Sequence, residues 1–316
     1  MTTSSAVGLM ATPAPPEPSE AEPPPPAQAH AAEPLRMSRA IVYTALRESS
    51  RDGDQALPAL AVVLVGIWMG STLTSYVKSG DVVTPTKLAG FSWAKGDGHV
   101  FNWHPLLMTV GFVFCSTTSA LCYIGLPFTH KTNKIIHLSS HAVGAVTAFV
   151  GAIAVFRFHN EHNITNLYSL HSWLGVLTWV LFVAQWAFGF ITYYYPGAKQ
   201  SVRASTISYH IGGGIGILAL IYITAATGVL EKLSFNASCN VTGNLNGQNV
   251  VGYMAPDCVL GNIFGLVLAL ALIVAVAAIV RAKIVQHQAI PTIRGETSPL
   301  VSSHQSKGSG KKGYNV

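Results

Sequence analysis

Charge is what this chain has least of. Only 10% of its 316 residues are Asp, Glu, Lys or Arg, against 50% that are hydrophobic, whereas a soluble domain carries roughly 25% charged residues. Six stretches contain none of the four: 56–77, 104–125, 135–156, 171–193, 208–230 and 259–280. Each has about the 20 residues that cross a hydrocarbon core, and with every backbone group needing an internal partner in lipid, each is predicted to be a helix. A secondary transporter keeps an ionised group in mid-membrane, so that class is disfavoured. Cysteine is scarce too, and none of the four stands in Cys-x-x-Cys-His, which excludes c-type haem attachment. No basic helix with interleaved aromatics points to nucleic acid. No repeat period or C-terminal lipidation box is present, and no cleavable signal is expected, because the first apolar run begins only near Ala56.

The polar material lies outside these runs. Residues 1–50 hold a Pro/Ala/Glu-rich tract and read as a disordered tail, 51–280 as a six-helix membrane domain, and 281–316, rich in Ser, Gly and Lys, as a second flexible tail. With both termini cytosolic, 14 of the 19 Lys and Arg fall on the cytosolic side. All three Asn-x-Ser/Thr sequons, at Asn163, Asn236 and Asn240, then lie outside as glycosylation candidates. Cys239 and Cys258 share an outer loop and are candidates for a disulfide. Cys115 and Cys122 read as buried free thiols within the second span.

Histidine is what remains in the spans. His104, His137, His171 and His210 open spans two to five, at intervals of 33, 34 and 39 residues, and His141 follows His137 by one turn. Successive spans run antiparallel, so His104 and His171 belong near the outer face and His137 and His210 near the inner one. Any one of them alone reads equally as an interhelical hydrogen-bonder. Two imidazole pairs in a four-helix bundle, without a carboxylate or thiolate to complete a tetrahedral site, suit axial ligation of two b-type haems better than zinc or di-iron. Gly111, Gly144, Gly175 and Gly214 follow the four histidines by seven, seven, four and four residues. They leave room for a porphyrin or, alternatively, serve ordinary small-residue helix packing.

FNWHP (101–105), HLSSH (137–141), NLYSLHSW (166–173), QWAFGF (185–190) and ISYH (207–210), in that order, resemble the cytochrome b561 family over residues 56 to 280. The resemblance implies an all-α fold of six membrane helices whose central four, helices 2 to 5, hold two b haems. It implies electron transfer from cytosolic ascorbate to a non-cytosolic ferric chelate or monodehydroascorbate. By position, His104 and His171 would ligate the outer haem and His137 and His210 the inner one. His141, on the face of His137, is either a contact to the haem or its ligand, or the ligand in place of His137. Lys131, Lys134 and Arg203 would bind ascorbate, unless they are only positive-inside charges. His159 and His162, in the outer loop, would meet the acceptor. A homodimer in the plasma membrane or an endomembrane (vacuole-like or secretory vesicle) is also implied. One feature departs from the family pattern: many members have a Tyr-Arg pair at the end of helix 2, and this chain reads CYIGLPF (122–128), keeping Tyr123 without the Arg. That leaves a haem carrier with another donor as the alternative, and a colourless transporter or scaffold as the reading from a different class.

Overall fold

The computed structural model describes residues 55–70, 74–79, 81–87, 89–235 and 237–296. The tail 1–50, Asn236 and the last residues of the C-terminal tail lie outside that set. Six helices carry the fold: α1 (Ala56–Gly70), α2 (Gly98–Gly125), α3 (His130–Glu161), α4 (Leu170–Tyr194), α5 (Gln200–Phe235) and α6 (Pro256–Glu296). Five are long and apolar enough to cross a membrane; α1, with 15 residues, is apolar but shorter.

Two boundaries differ from the sequence expectation. The first span was expected to run as a helix to residue 77, but α1 ends at Gly70 and Thr74–Ser79 form a strand. The Thr/Ser/Tyr/Val content of that segment favours extended backbone over helix. At the other end, α6 continues as helix to Glu296, through residues assigned to the flexible tail.

The sheet is the larger departure from an all-α reading. Strands β1 (Thr74–Ser79) and β2 (Val82–Lys87), between α1 and α2, join β3 (Val241–Leu245) and β4 (Gln248–Tyr253), between α5 and α6. Their order is β1-β2-β3-β4, antiparallel within each hairpin and parallel where β2 meets β3. Asn246 and Gly247 turn the second hairpin with φ of 52° and 85°, the two left-handed residues a two-residue hairpin needs. Val83, Val241 and Ala255 form a small core under it. A Cys239–Cys258 disulfide ties this region to the start of α6.

The helices bury little of their apolar surface. Val146 is 67% exposed, Val180 60% and Ile273 64%, a pattern that suits contact with lipid. The buried core lies instead between α1, α2, α5 and α6, around Val65, Trp68, Phe112, Tyr222 and Leu268. α2 pairs with α3 and α4 with α5; these two hairpins approach most closely where α2 meets α5. Gly111 and Gly144 make the α2–α3 contact possible. A Cβ on Gly111 would run into the Gly144 carbonyl and come within 2.8 Å of the Ala148 amide, and one on Gly144 would lie 2.5 Å from the Gly111 carbonyl. Of the two roles open to these glycines, close backbone packing is the one the structure displays.

Candidate functional site

Each end of the α2–α5 bundle carries two histidines that face each other across the hairpins. The His104 and His171 rings have centroids 6.0 Å apart, and the His137 and His210 rings 6.2 Å apart. A metal held between two imidazole nitrogens at about 2 Å from each puts the ring centroids about 6 Å apart. All four side chains are half-buried.

The hairpin partner fixes each ring. His104 Nδ1 donates to the Gly151 carbonyl at 3.0 Å, His137 Nδ1 to the Ser119 carbonyl at 2.8 Å, and His171 Nδ1 to the Thr224 carbonyl at 2.9 Å. A carbonyl can only accept, so the proton sits on Nδ1 and Nε2 keeps its lone pair, the arrangement a metal-bound histidine requires. His210 differs: Gln185 Nε2 donates to the His210 carbonyl at 2.6 Å and lies 3.1 Å from His210 Nδ1. Two glycines seat the rings. A Cβ on Gly228 would stand 2.7 Å from His171 Cε1, and one on Gly189 would stand 2.9 Å from His210 Cε1.

Ser119, Gly151, Gln185, Gly189, Thr224 and Gly228 were not singled out from sequence for these roles. Carbonyl acceptors leave no side-chain signature, and the two glycines sit on the neighbouring helix rather than on the histidine's own. Gly175 and Gly214, by contrast, have open space or ordinary contacts around them.

His141 lies beside the inner pair, its ring 4.7 Å from that of His137, and its Nδ1 is buried without a hydrogen-bond partner. Leaving such an atom unpaired costs about 1–3 kcal/mol, so this spot suits a bound polar group. Between the two levels, Phe112, Trp179 and Phe182 pack together with centroids 4.8 and 5.2 Å apart, and His141 touches Phe182 at 5.4 Å. The His104/His171 pair, with both Nε2 atoms free, therefore has the donor set that suits a haem, and His137 offers its Nε2 at the other level. Among the described residues, no group of three or more His, Cys, Asp or Glu gathers as a metal cluster.

At the inner rim, Lys134 Nζ donates to the Tyr193 carbonyl at 3.3 Å, while Lys131 and Arg203 are exposed on the first turns of α3 and α5. At the outer rim, His159 packs 6.1 Å from the Tyr168 ring. Tyr168 and Ser169 both donate to Glu231, at 2.7 and 2.8 Å. Burial pushes the Tyr168 phenol up to about 12, and the hydrogen bond and charge of Glu231 add to the shift. His162 is turned elsewhere, its ring tilted against Phe158 at 4.5 Å and its Nδ1 donating to the Phe158 carbonyl. Asn163 and Asn240 are exposed, Asn163 with φ of 56°.

Comparison with known proteins bears on the family. The model of the eukaryotic cytochrome b561 family matches residues 103–236, from α2 to the end of α5. A probable ascorbate-specific transmembrane electron transporter of Oryza sativa subsp. japonica is 44% identical over 137 residues, 43% of this chain and 58% of the relative. The chain thus spans little more than half the length of that relative. Transmembrane ascorbate ferrireductase 1 of Arabidopsis thaliana is 34% identical over 181 residues, 57% of this chain and 70% of the relative. A lysosomal membrane ascorbate-dependent ferrireductase of Danio rerio is 35% identical over 183 residues, 57% of this chain and 72% of the relative. With its helices, its paired histidines and these relatives in view, the chain belongs to the eukaryotic cytochrome b561 family.

Proposed function

We propose that this protein passes electrons across a membrane from cytosolic ascorbate, through two bis-histidine b haems, to a ferric chelate or monodehydroascorbate on the far side. The observation that carries this is the pair of facing imidazole couples at opposite ends of one bundle, three of the four rings presenting Nε2 by the same Nδ1-to-carbonyl bond. The relatives named for ascorbate-dependent electron transfer and ferric reduction support the donor and the reaction class.

In this reading a haem at each level supplies a one-electron couple, and the protein does the rest. His104 and His171 hold the outer group and His137 and His210 the inner one; the hairpin carbonyls lock ring tautomer and rotation. His141 offers its unpaired nitrogen to a polar edge of the inner group. Phe112, Trp179 and Phe182 fill the space between the levels and exclude water. Lys131, Lys134 and Arg203 attract the ascorbate anion to the inner rim. On the outer rim His159 stands by the acceptor, with Tyr168 and Glu231 beside it; His162, turned onto Phe158, contributes less. A cytosol-negative potential favours outward electron movement by about 2.3 kcal/mol per 100 mV.

Cytosolic termini, glycans on Asn163, Asn236 and Asn240, a homodimer, and residence in the plasma membrane or an endomembrane belong to the same proposal. The test is electron transfer in proteoliposomes loaded with ascorbate, with ferric citrate and monodehydroascorbate offered outside in turn. Reduction of at least one is expected; haems that ascorbate leaves oxidised would point to the alternative, a carrier with another donor.

A further inference from the structure

Tyr123, near the inner end of α2, lies between two imidazoles. Its ring centroid is 5.5 Å from that of His137, a member of the inner pair, and 5.5 Å from that of His130. His130 is the first residue of α3 and is exposed at the rim. Its place is set by the helix start, where the Thr129 hydroxyl caps the turn by accepting from the Thr132 amide at 3.2 Å. The residue after Tyr123 is Ile124, so no cation follows it on α2. Besides His137, the side chain that meets Tyr123 from the facing helix is His130.

The proposed donor makes a demand that no Lys or Arg at this rim meets. Ascorbate binds as a monoanion and, on giving up one electron, also gives up a proton. Ammonium and guanidinium groups have no lone pair to receive it, whereas imidazole does and exchanges protons near neutral pH. We infer that His130 is the proton acceptor for ascorbate oxidation, a role that rests on the function proposed above. The enediol O–H bond of the bound monoanion breaks, and its proton forms an N–H bond on the neutral His130 ring. The b haem that His137 and His210 would hold would supply the one-electron acceptor. Ascorbate leaves as the monodehydroascorbate radical anion, and the imidazolium returns its proton to the cytosol. Other titratable and charged groups at this end of the bundle include Tyr123 and Cys122 on α2, Lys131 and Lys134 on α3, Tyr193 and Tyr194 on α4, Tyr195 and Lys199 in the turn before α5, Arg203 and Tyr209 on α5, and Arg281 and Lys283 on α6. Of these, Lys131, Lys134 and Arg203 hold the anion, and the dipole at the start of α3 adds to that attraction.

The test compares haem reduction in the purified holoprotein and in His130→Gln by stopped flow, with two reductants. With ascorbate the variant should be about a hundredfold slower, within the range of a lost general base. With hexaammineruthenium(II), which delivers an electron and no proton, variant and parent should match. Equal slowing with both reductants, or no slowing with ascorbate, overturns the assignment. A second readout needs no electron transfer: carbethoxylation of His130 by diethyl pyrocarbonate, followed by peptide mass spectrometry, should slow when ascorbate is present, and an unchanged rate counts against it. If the parent protein is reduced by the ruthenium complex and not by ascorbate, the donor reading itself falls and takes this inference with it. If the parent responds to ascorbate and His130→Gln responds equally, only the inference falls.

Discussion

A histidine becomes a dependable ligand when something else decides which of its nitrogens is free. Here that decision is made by the backbone of the neighbouring helix for His104, His137 and His171; His210, whose Nδ1 faces the Gln185 amide nitrogen, has no such carbonyl. The glycines that seat two of the rings make this testable at single positions. Gly228→Ala places a methyl group 2.7 Å from His171 Cε1, and such overpacking costs about 1–3 kcal/mol. The expected result is loss of most outer-haem binding with the inner haem retained, read as a drop in the haem-to-protein ratio. Gly189→Ala should do the same at His210, where the clash is at 2.9 Å. At the outer rim, Tyr168 gives a pH effect with a definite sign. Its phenol is raised to about 12 in the folded protein, by burial first and Glu231 second, against about 10 for an unperturbed tyrosine. The neutral form is therefore favoured by folding: that contribution is complete below about pH 10 and disappears as pH rises towards 12. Spectrophotometric titration of the protein and of Glu231→Gln should differ by one tyrosine, which the substitution brings back towards the ordinary range.

Among the elements, the helices were written in the sequence and the sheet was not read there. Charge-free runs of about 20 residues fix where a chain crosses lipid, because hydrocarbon penalises every exception. The histidine intervals then set the pairing, since antiparallel spans bring residues at like depths together. The β cap offers a weaker signal: strands β3 and β4 are short, and β4 is mostly exposed. Asn246-Gly247 between them is nonetheless a strong hairpin signature, and it was available. Thr74–Ser79 was absorbed into the first span because it carries no charge before Lys78, although its composition favours a strand. Tertiary partners such as the Ser119 and Thr224 carbonyls stay silent in any sequence, for every residue has a carbonyl. Two element-level predictions follow from close contacts. Gly144→Leu must separate α2 from α3, because even a Cβ there meets the Gly111 carbonyl at 2.5 Å and Cys115 Cβ at 2.9 Å. It should destabilise the protein severely, with both haems lost and a lower melting temperature. Cys258→Ser removes the Cys239–Cys258 bond, which closes a loop of 19 residues. About 3 kcal/mol of stabilisation should go with it, seen as faster proteolysis of residues 237–255 while the histidine pairs stay loaded.

For the whole molecule, the arrangement is a bundle with one facing histidine pair at each end, wrapped in helices whose outward faces are apolar. Burial concentrated between α1, α2, α5 and α6 makes a firm wall on one side of the bundle, while α3 and α4 present Val143, Val146, Val180 and Val183 outward at 51% exposure or more. The central claim is that each facing pair holds its own haem. It is tested most directly by the haem-to-protein ratio and low-spin electron paramagnetic resonance spectrum of the purified protein and of two variants, His171→Ala and His210→Ala. The account predicts two bis-histidine haems in the parent and the loss of a different one of the two low-spin signals in each variant. A single haem in the parent, or both signals surviving either substitution, would contradict it.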